Sequence, residues 1–201
     1  MFAVIVLAAG SASRMGRSKL LLEVEGESLL RRAARCAVEA ATGPVVVVVG
    51  ADAERARREV EGLPCAVAHD EALTRRGMNG SLRVGVSALP PGLRGAVVLL
   101  ADMPFVTPGD VRALVARHHA TCAPLVATRY GRAFAPPVLY DRALLPELAA
   151  GGDGDGCGRE LLLRYRAAAE VVDAPPSAME DVDLPADLER VRERLRAGGR
   201  A

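Results

Sequence analysis

Aromatic residues are scarce in this sequence. Three phenylalanines, three tyrosines and no tryptophan make up 3% of 201 residues, although half the chain is apolar. A core must therefore come from Val, Leu, Ile and Ala. An excess of one charge is also missing, since 26 Lys and Arg face 25 Asp and Glu. That balance gives no global field to draw nucleic acid or an anionic membrane, so any affinity for anions has to be local. The cysteines Cys36, Cys65, Cys122 and Cys157 are scattered, with no Cys-x-x-Cys spacing. The pattern argues against a zinc site, an iron–sulfur cluster and a disulfide framework. Long hydrophobic runs are absent. The opening run from Phe2 to Leu7 is too short for a membrane span and lacks the basic leader of a signal peptide. The expectation is a reduced, cytoplasmic chain with no membrane partner. Its length suits a single domain over residues 1–201.

The opening run has the length and β-branched content of a fully buried strand. The stretch that organises the chain comes at its end: Leu7-Ala8-Ala9-Gly10-Ser11-Ala12-Ser13-Arg14-Met15-Gly16-Arg17-Ser18-Lys19. Gly10 and Gly16 can take positive φ, and the small residues between them let backbone amides approach a ligand. Arg14 and Lys19 add two cations close to those amides, a combination suited to a polyphosphate. The plainer alternative is a tight strand-to-helix turn. The spacing is neither Gly-x-x-x-x-Gly-Lys-[Ser/Thr] nor Gly-x-Gly-x-x-Gly.

Further along, Leu29, Leu30, Ala33, Ala37 and Val38 mark a helix from about Ser28 to Ala41, ended by Thr42-Gly43-Pro44. Val45 to Val49 reads as a second buried strand, with a helix from Ala51 to Glu61 and a short strand from Cys65 to Ala68 after it. Ala96 to Leu100 is the clearest central strand. A helix capped by Thr107 runs from Pro108 to His119, where His118 and His119 meet the helix dipole. Leu125 to Thr128 reads as a strand, and Val171-Val172 as a last short one. A closing amphipathic helix starts at Pro185 or Asp187 and carries Leu188, Val191 and Leu195. Alternating strands and helices predict an α/β class, a three-layer α/β/α, Rossmann-like arrangement on a mostly parallel sheet.

Ligands in such sheets bind beyond the carboxyl ends of the strands. Asp102, in Ala101-Asp102-Met103-Pro104, comes directly after the central strand there and is placed to hold Mg²⁺, which prefers oxygen ligands. The other reading is a turn aspartate before proline. Asn79 and Ser81, in Gly77-Met78-Asn79-Gly80-Ser81-Leu82-Arg83-Val84-Gly85, either cap a helix or offer hydrogen bonds at its N-terminus. His69 reads as structural, with no carboxylate–serine constellation around it. The 151–158 stretch is rich in glycine and acid and reads as the most mobile part of the chain.

Several of these segments together resemble one family. The opening loop is similar to the L-A-A-G-x-S-x-R-M-G-x-x-K signature of MobA/MocA-like nucleotidyltransferases, specifically the molybdenum cofactor cytidylyltransferase branch, with Ser13, next to Arg14, standing in for the usual serine alongside Ser11. The 77–85 segment resembles the family's G-M-x-x-S-L-x-x-G, and Leu100 to Pro104 its L-A-D-M-P metal motif. Asp181-Val182-Asp183-Leu184-Pro185 resembles D-I-D-T-P, with Leu184 in place of threonine. Phe134 to Tyr140 resembles a segment that usually reads Gly-His-Pro-Val, with Pro136 replacing the histidine. Gly154 to Arg159 resembles G-D-x-G-A-R, with Cys157 at the second glycine.

The resemblance implies CMP transfer from CTP to the phosphate of a molybdopterin-type cofactor. Leu7, Ala8, Ala9, Gly10, Ser11, Arg14, Lys19, Asn79, Gly80 and Ser81 would bind the nucleotide. Arg14, Lys19 and Asp102 would be catalytic. Asp102 and Asp183 would hold Mg²⁺, with Asp181 the alternative second ligand. The 151–158 stretch would face the pterin, or else be a solvated loop. A molybdenum hydroxylase is implied as the eventual recipient of the cofactor. Two other classes stand beside this one: a sister transferase using GTP or another phosphorylated acceptor, and a non-catalytic partner that delivers cofactor to a molybdoenzyme.

Overall fold

All seven residues of β1 (Phe2–Ala8) are buried, as an apolar run with no polar alternation requires. The computed structural model describes residues 1–9 and 19–197. A two-strand ribbon, β2 (Glu23–Val24) and β3 (Glu27–Ser28), precedes α1 (Leu29–Glu39). The apolar pattern gives no sign of this ribbon, whose turn delays the start of the helix. Ser28 caps α1, its hydroxyl accepting from the Arg31 amide at 3.1 Å.

The chain continues through β4 (Val45–Val49), α2 (Ala53–Glu59), β5 (Ala66–His69), α3 (Glu71–Thr74) and α4 (Met78–Ser87). Then come β6 (Gly95–Leu100), α5 (Pro108–Thr121), β7 (Leu125–Tyr130) and β8 (Ala133–Asp141). Last are α6 (Leu145–Ala150), α7 (Arg159–Arg164), β9 (Glu170–Ala174) and α8 (Pro185–Arg196). Thr107 begins α5 with a reciprocal cap: its amide donates to Asp110 Oδ2 at 2.8 Å while its hydroxyl accepts from the Asp110 amide.

Seven strands form one sheet in the order β5-β4-β1-β6-β8-β7-β9. Every neighbouring pair is parallel except those made by β8. The fold class is the one expected: a mostly parallel sheet between two helical layers. Val4, Val6, Val47, Leu99 and Leu114 pack on the side of α1, α2 and α5. Ile5, Val48, Leu82, Val98, Leu148 and Leu161 pack on the side of α4, α6 and α7. A third, smaller cluster joins Met103 and Phe105 to Val182, Leu188 and Val191 of the C-terminal segment.

Strand β8 is hard to read from the sequence for a physical reason. It is an interior strand that contains Pro136 and Pro137, residues normally kept to edges because they cannot donate to a ladder. Its register against β7 jumps from Ala127↔Val138 to Thr128↔Ala135, so both prolines sit in a bulge. Side chains satisfy their carbonyls instead: Thr128 Oγ1 donates to the Pro137 carbonyl at 2.6 Å, and the Tyr130 hydroxyl donates to that of Pro136 at 2.9 Å. His118 stands in the last turn of α5, as expected. It is buried, and its Nε2 donates to Asp141 Oδ2 at 3.0 Å, which locks α5 to the end of β8.

Helix α4 lies directly on β1 and β4 through Gly85. A Cβ there would stand 2.5 Å from Ile5 Cγ2 and 3.1 Å from Val48 Cγ2. Helix propensity alone favours Gly85→Ala by about 1 kcal/mol. Overpacking a tight core costs roughly 1–3 kcal/mol, so the substitution is expected to lower stability in urea unfolding. A stabilised Gly85→Ala protein would contradict this packing.

Candidate active site at the C-terminal edge of the sheet

The C-terminal ends of β1 and β4 open into a cleft of about 620 Å³. Ala8 and Ala9 form one wall, and Gly50, Ala51 and Asp52 another. The two strand ends meet closely: a Cβ on Gly50 would stand 3.0 Å from the Ala9 carbonyl oxygen. Leu7 lies beneath the cleft, buried, and its carbonyl accepts from the Ala101 amide at 3.1 Å. Gly10, Ser11 and Arg14 lie outside the described residues. Lys19 is placed at the start of the short helical turn Lys19–Leu21, whose Leu20 and Leu21 line the cleft.

Opposite stand Glu71, Thr74, Arg75, Arg76, Gly77, Met78 and Ser81, contributed by α3 and the start of α4. Ser81 therefore faces the cleft. Gly80 instead packs against α3, where a Cβ would clash with the Leu73 carbonyl oxygen. Asn79 is buried and lines a second cavity of about 230 Å³ with Gly151, Gly156 and Arg159. Arg75 and Arg76 are functional candidates that motif reading misses, although a pair of arginines directly before the Gly77 motif is a visible signal. Both carry carboxylate partners, Glu71 for Arg75 and Asp153 for Arg76 at 3.9 Å. The cleft therefore presents donors and acceptors together.

The 151–158 loop forms the partition between the two cavities. It is tied to α4 by tertiary contacts that its composition does not reveal. Asp155 Oδ1 accepts from the Met78 amide at 3.1 Å, the Asn79 amide donates to the Gly154 carbonyl at 3.0 Å, and the Gly154 amide donates to the Arg76 carbonyl at 2.9 Å. Arg83 Nε adds a bond to the Gly151 carbonyl at 3.1 Å. Gly77 makes this fit possible. Its φ of +85° is open to glycine, and a Cβ would stand 2.7 Å from both Asp155 Oδ1 and the Gly154 oxygen. In effect Asp155 supplies in trans the N-cap carboxylate that Gly77 cannot.

Asp102 comes just after β6, on the other flank of β1, and is half-buried. The Val182 amide donates to the Asp102 carbonyl at 3.1 Å, which brings the 181–183 arm against the strand edge. Val182 is fully buried between two exposed aspartates, Asp181 and Asp183. The Asp187 carboxylate steadies the arm by accepting from the amides of Leu184 at 2.6 Å and Asp183 at 3.0 Å. Those bonds hold Asp187 below the usual carboxylate range. Cys157, packed against the layer of α4, α6 and α7, is close enough to feel the Asp102 charge. Burial, followed by the Asp102 charge, pushes its thiol up to about 12.

Among the described residues no three His, Cys, Asp or Glu side chains form a metal cage. Mg²⁺ commonly takes one or two carboxylates and fills its remaining positions with water and phosphate oxygens, so carboxylates such as Asp102 and those of the 181–183 arm are the donor type it uses without a cage of three. No helix among the described residues is long and apolar enough to cross a membrane.

Known proteins share this architecture. The family model described as MobA-like NTP transferase domain matches residues 4–170. Purine catabolism protein PucB of Bacillus subtilis (strain 168) is 30% identical over 198 residues, 94% of either chain. The crystal structure of Rv0371c from Mycobacterium tuberculosis H37Rv superposes with a TM-score of 0.85 at 26% identity, covering 96% of this chain and 97% of that one. The manganese complex of Rv0371c superposes with a TM-score of 0.77 at 25% identity, covering 96% and 98%.

Asp155→Ala removes the trans cap on α4. Loss of a capping carboxylate typically costs about 1 kcal/mol, and hydrogen exchange is expected to quicken at Met78 and across the 151–158 loop. Unchanged exchange at both places would show that the loop does not depend on Asp155.

Proposed function

The chain belongs to the MobA-like NTP transferase family, and we propose that residues 1–201 act as one cytoplasmic domain that transfers CMP from CTP to the phosphate of a molybdopterin-type molybdenum cofactor. Family membership makes the protein a nucleotidyltransferase; the nucleotide, the acceptor and the residue roles are the proposal. The observation that carries it is the cleft at the ends of β1 and β4, which lies one strand away from the Asp102–Val182 junction.

In this reading the base and ribose lie between Ala9 and the start of α4, near Ser81, with Asn79 and Gly80 shaping that helix end. Arg14, Lys19 and the amides of Gly10 and Ser11 hold the triphosphate. An oxygen of the acceptor phosphate attacks the α-phosphorus, a new P–O bond forms, and the bond to the β-phosphate oxygen breaks to release pyrophosphate. No protein nucleophile is needed. The chain contributes placement and fixed charge, the two terms that dominate phosphoryl-type transfers. Asp102 and Asp183 would hold Mg²⁺, which would neutralise charge on the α-phosphate and the leaving group. The manganese complex of Rv0371c supports a divalent ion in this family setting. A molybdenum hydroxylase would then receive the finished cofactor.

Asp102→Asn retains one oxygen and loses the charge. It is expected to abolish Mg²⁺-dependent turnover while the far-UV spectrum and thermal midpoint stay near wild type. Asp183→Asn should act in the same direction, and sensitivity at Asp181 instead would move the second ligand by two residues. Normal turnover of Asp102→Asn would remove this carboxylate from the reaction.

Ala9 offers a test of the base. The guanylyl branch of the family characteristically carries glycine at this position, and a methyl group on the cleft wall narrows the space for a purine. One methyl is worth roughly 1–3 kcal/mol of discrimination. The wild type is therefore expected to favour CTP over GTP in kcat/KM, and Ala9→Gly to shrink that ratio by about ten-fold or more. Equal use of CTP and GTP by the wild type would overturn the cytidylyl assignment.

A further inference from the structure

We infer that Phe134 is a specificity-determining residue for the acceptor, offering its exposed ring as a stacking surface to a planar, fused-ring group. This deepens the proposed cytidylyl transfer and rests on it. The chain has only six aromatic side chains, counting Phe and Tyr. Phe2, Phe105, Tyr130 and Tyr140 are buried and Tyr165 is half-buried, whereas Phe134 is 47% exposed. A single exposed phenylalanine is ordinary on a protein surface. Its position makes this one informative.

The strand order puts β8 next to β6, on the flank away from β1 and β4. With the nucleotide cleft on the β1/β4 side of Asp102, the β8 side is left for the acceptor. An in-line displacement needs the attacking oxygen to enter opposite the leaving pyrophosphate.

The register sets the height of Phe134. Val98 pairs with Val138, and Val138 pairs with Ala127 on β7. Two residues further along β7, Arg129 pairs with Phe134. Phe134 is thus level with Leu100, the last residue of β6, just before the chain reaches Asp102.

The same pairing sets its face. Ala127 and Val138 belong to the layer that also contains Tyr140, Leu161 and Cys157. Arg129, two residues from Ala127, shares that face, and so does its partner Phe134. This is the face on which the Cys157 thiol feels the Asp102 charge. Pro136, where the resembled family has histidine, adds no polar group.

The test measures binding, so that it does not depend on turnover. A fluorescent pterin monophosphate and ribose 5-phosphate serve as planar and non-planar phosphate probes, and CTP as the control. Phe134→Ala should raise Kd for the pterin probe by roughly 5- to 100-fold, the usual worth of one aromatic stack. Kd for ribose 5-phosphate and for CTP should stay unchanged, and Phe134→Tyr should restore pterin binding. Thermal midpoints of the three proteins should agree, because the ring is half in solvent. Unchanged pterin binding in Phe134→Ala, equal losses for both phosphates, or no pterin binding by the wild type would each overturn the assignment. So would a change of oligomeric state on sedimentation, which would make Phe134 a contact between copies. Pyrophosphate release to a non-planar acceptor that ignores Phe134 would sink this inference and leave the nucleotidyl transfer standing.

Discussion

The complete burial of β1 is the constraint on which the other features depend. An apolar run with no polar alternation can be satisfied only by helices on both faces and strands on both edges. β4 and β6 supply the edges, and the helical layers carrying Leu114 and Leu82 supply the faces. Three parallel strands then end at one edge of the sheet. The Ala9 wall of the cleft, Gly50 and Asp102 all stand where these strands stop. The site is a consequence of where the apolar runs end.

Once that edge exists, distant segments are brought to it by a few backbone hydrogen bonds. The Val182 amide on the Asp102 carbonyl joins the C-terminal arm to β6, and the Met78 and Asn79 amides hold the 151–158 loop against α4. Glycines in the 77–85 motif have separate structural duties. Gly77 makes room for the loop, Gly80 lets α4 approach α3, and Gly85 lets α4 rest on Ile5 and Val48. A segment that resembles a ligand-binding motif is therefore also the packing hinge of one helical layer.

Much of this is legible in the sequence. The runs Val45 to Val49 and Ala96 to Leu100 are strands at almost the limits their composition gives, and Thr107 caps α5 through a local side-chain exchange. Asp102 is visible because a carboxylate directly after a buried strand has few places to go. Strand β8 is hidden because two prolines break the usual rule and are accommodated by a bulge. The roles of Asp155 and of the Asn79 backbone are hidden because their partners lie more than seventy residues away in sequence. The 151–158 loop looks mobile from its glycines, yet its attachments come from Arg76, Met78, Asn79 and Arg83, which local composition cannot show.

Pyrophosphate release is the most direct measure of what this edge of the sheet does. The folded wild-type chain would be given CTP, GTP, ATP or UTP with Mg²⁺, each with and without a pterin-type phosphate acceptor. A cytidylyl site at the ends of β1 and β4 releases pyrophosphate with CTP when both acceptor and Mg²⁺ are present, and far less with the other three nucleotides. Release no greater than the uncatalysed background with every nucleotide, or release that does not depend on the acceptor, would contradict it.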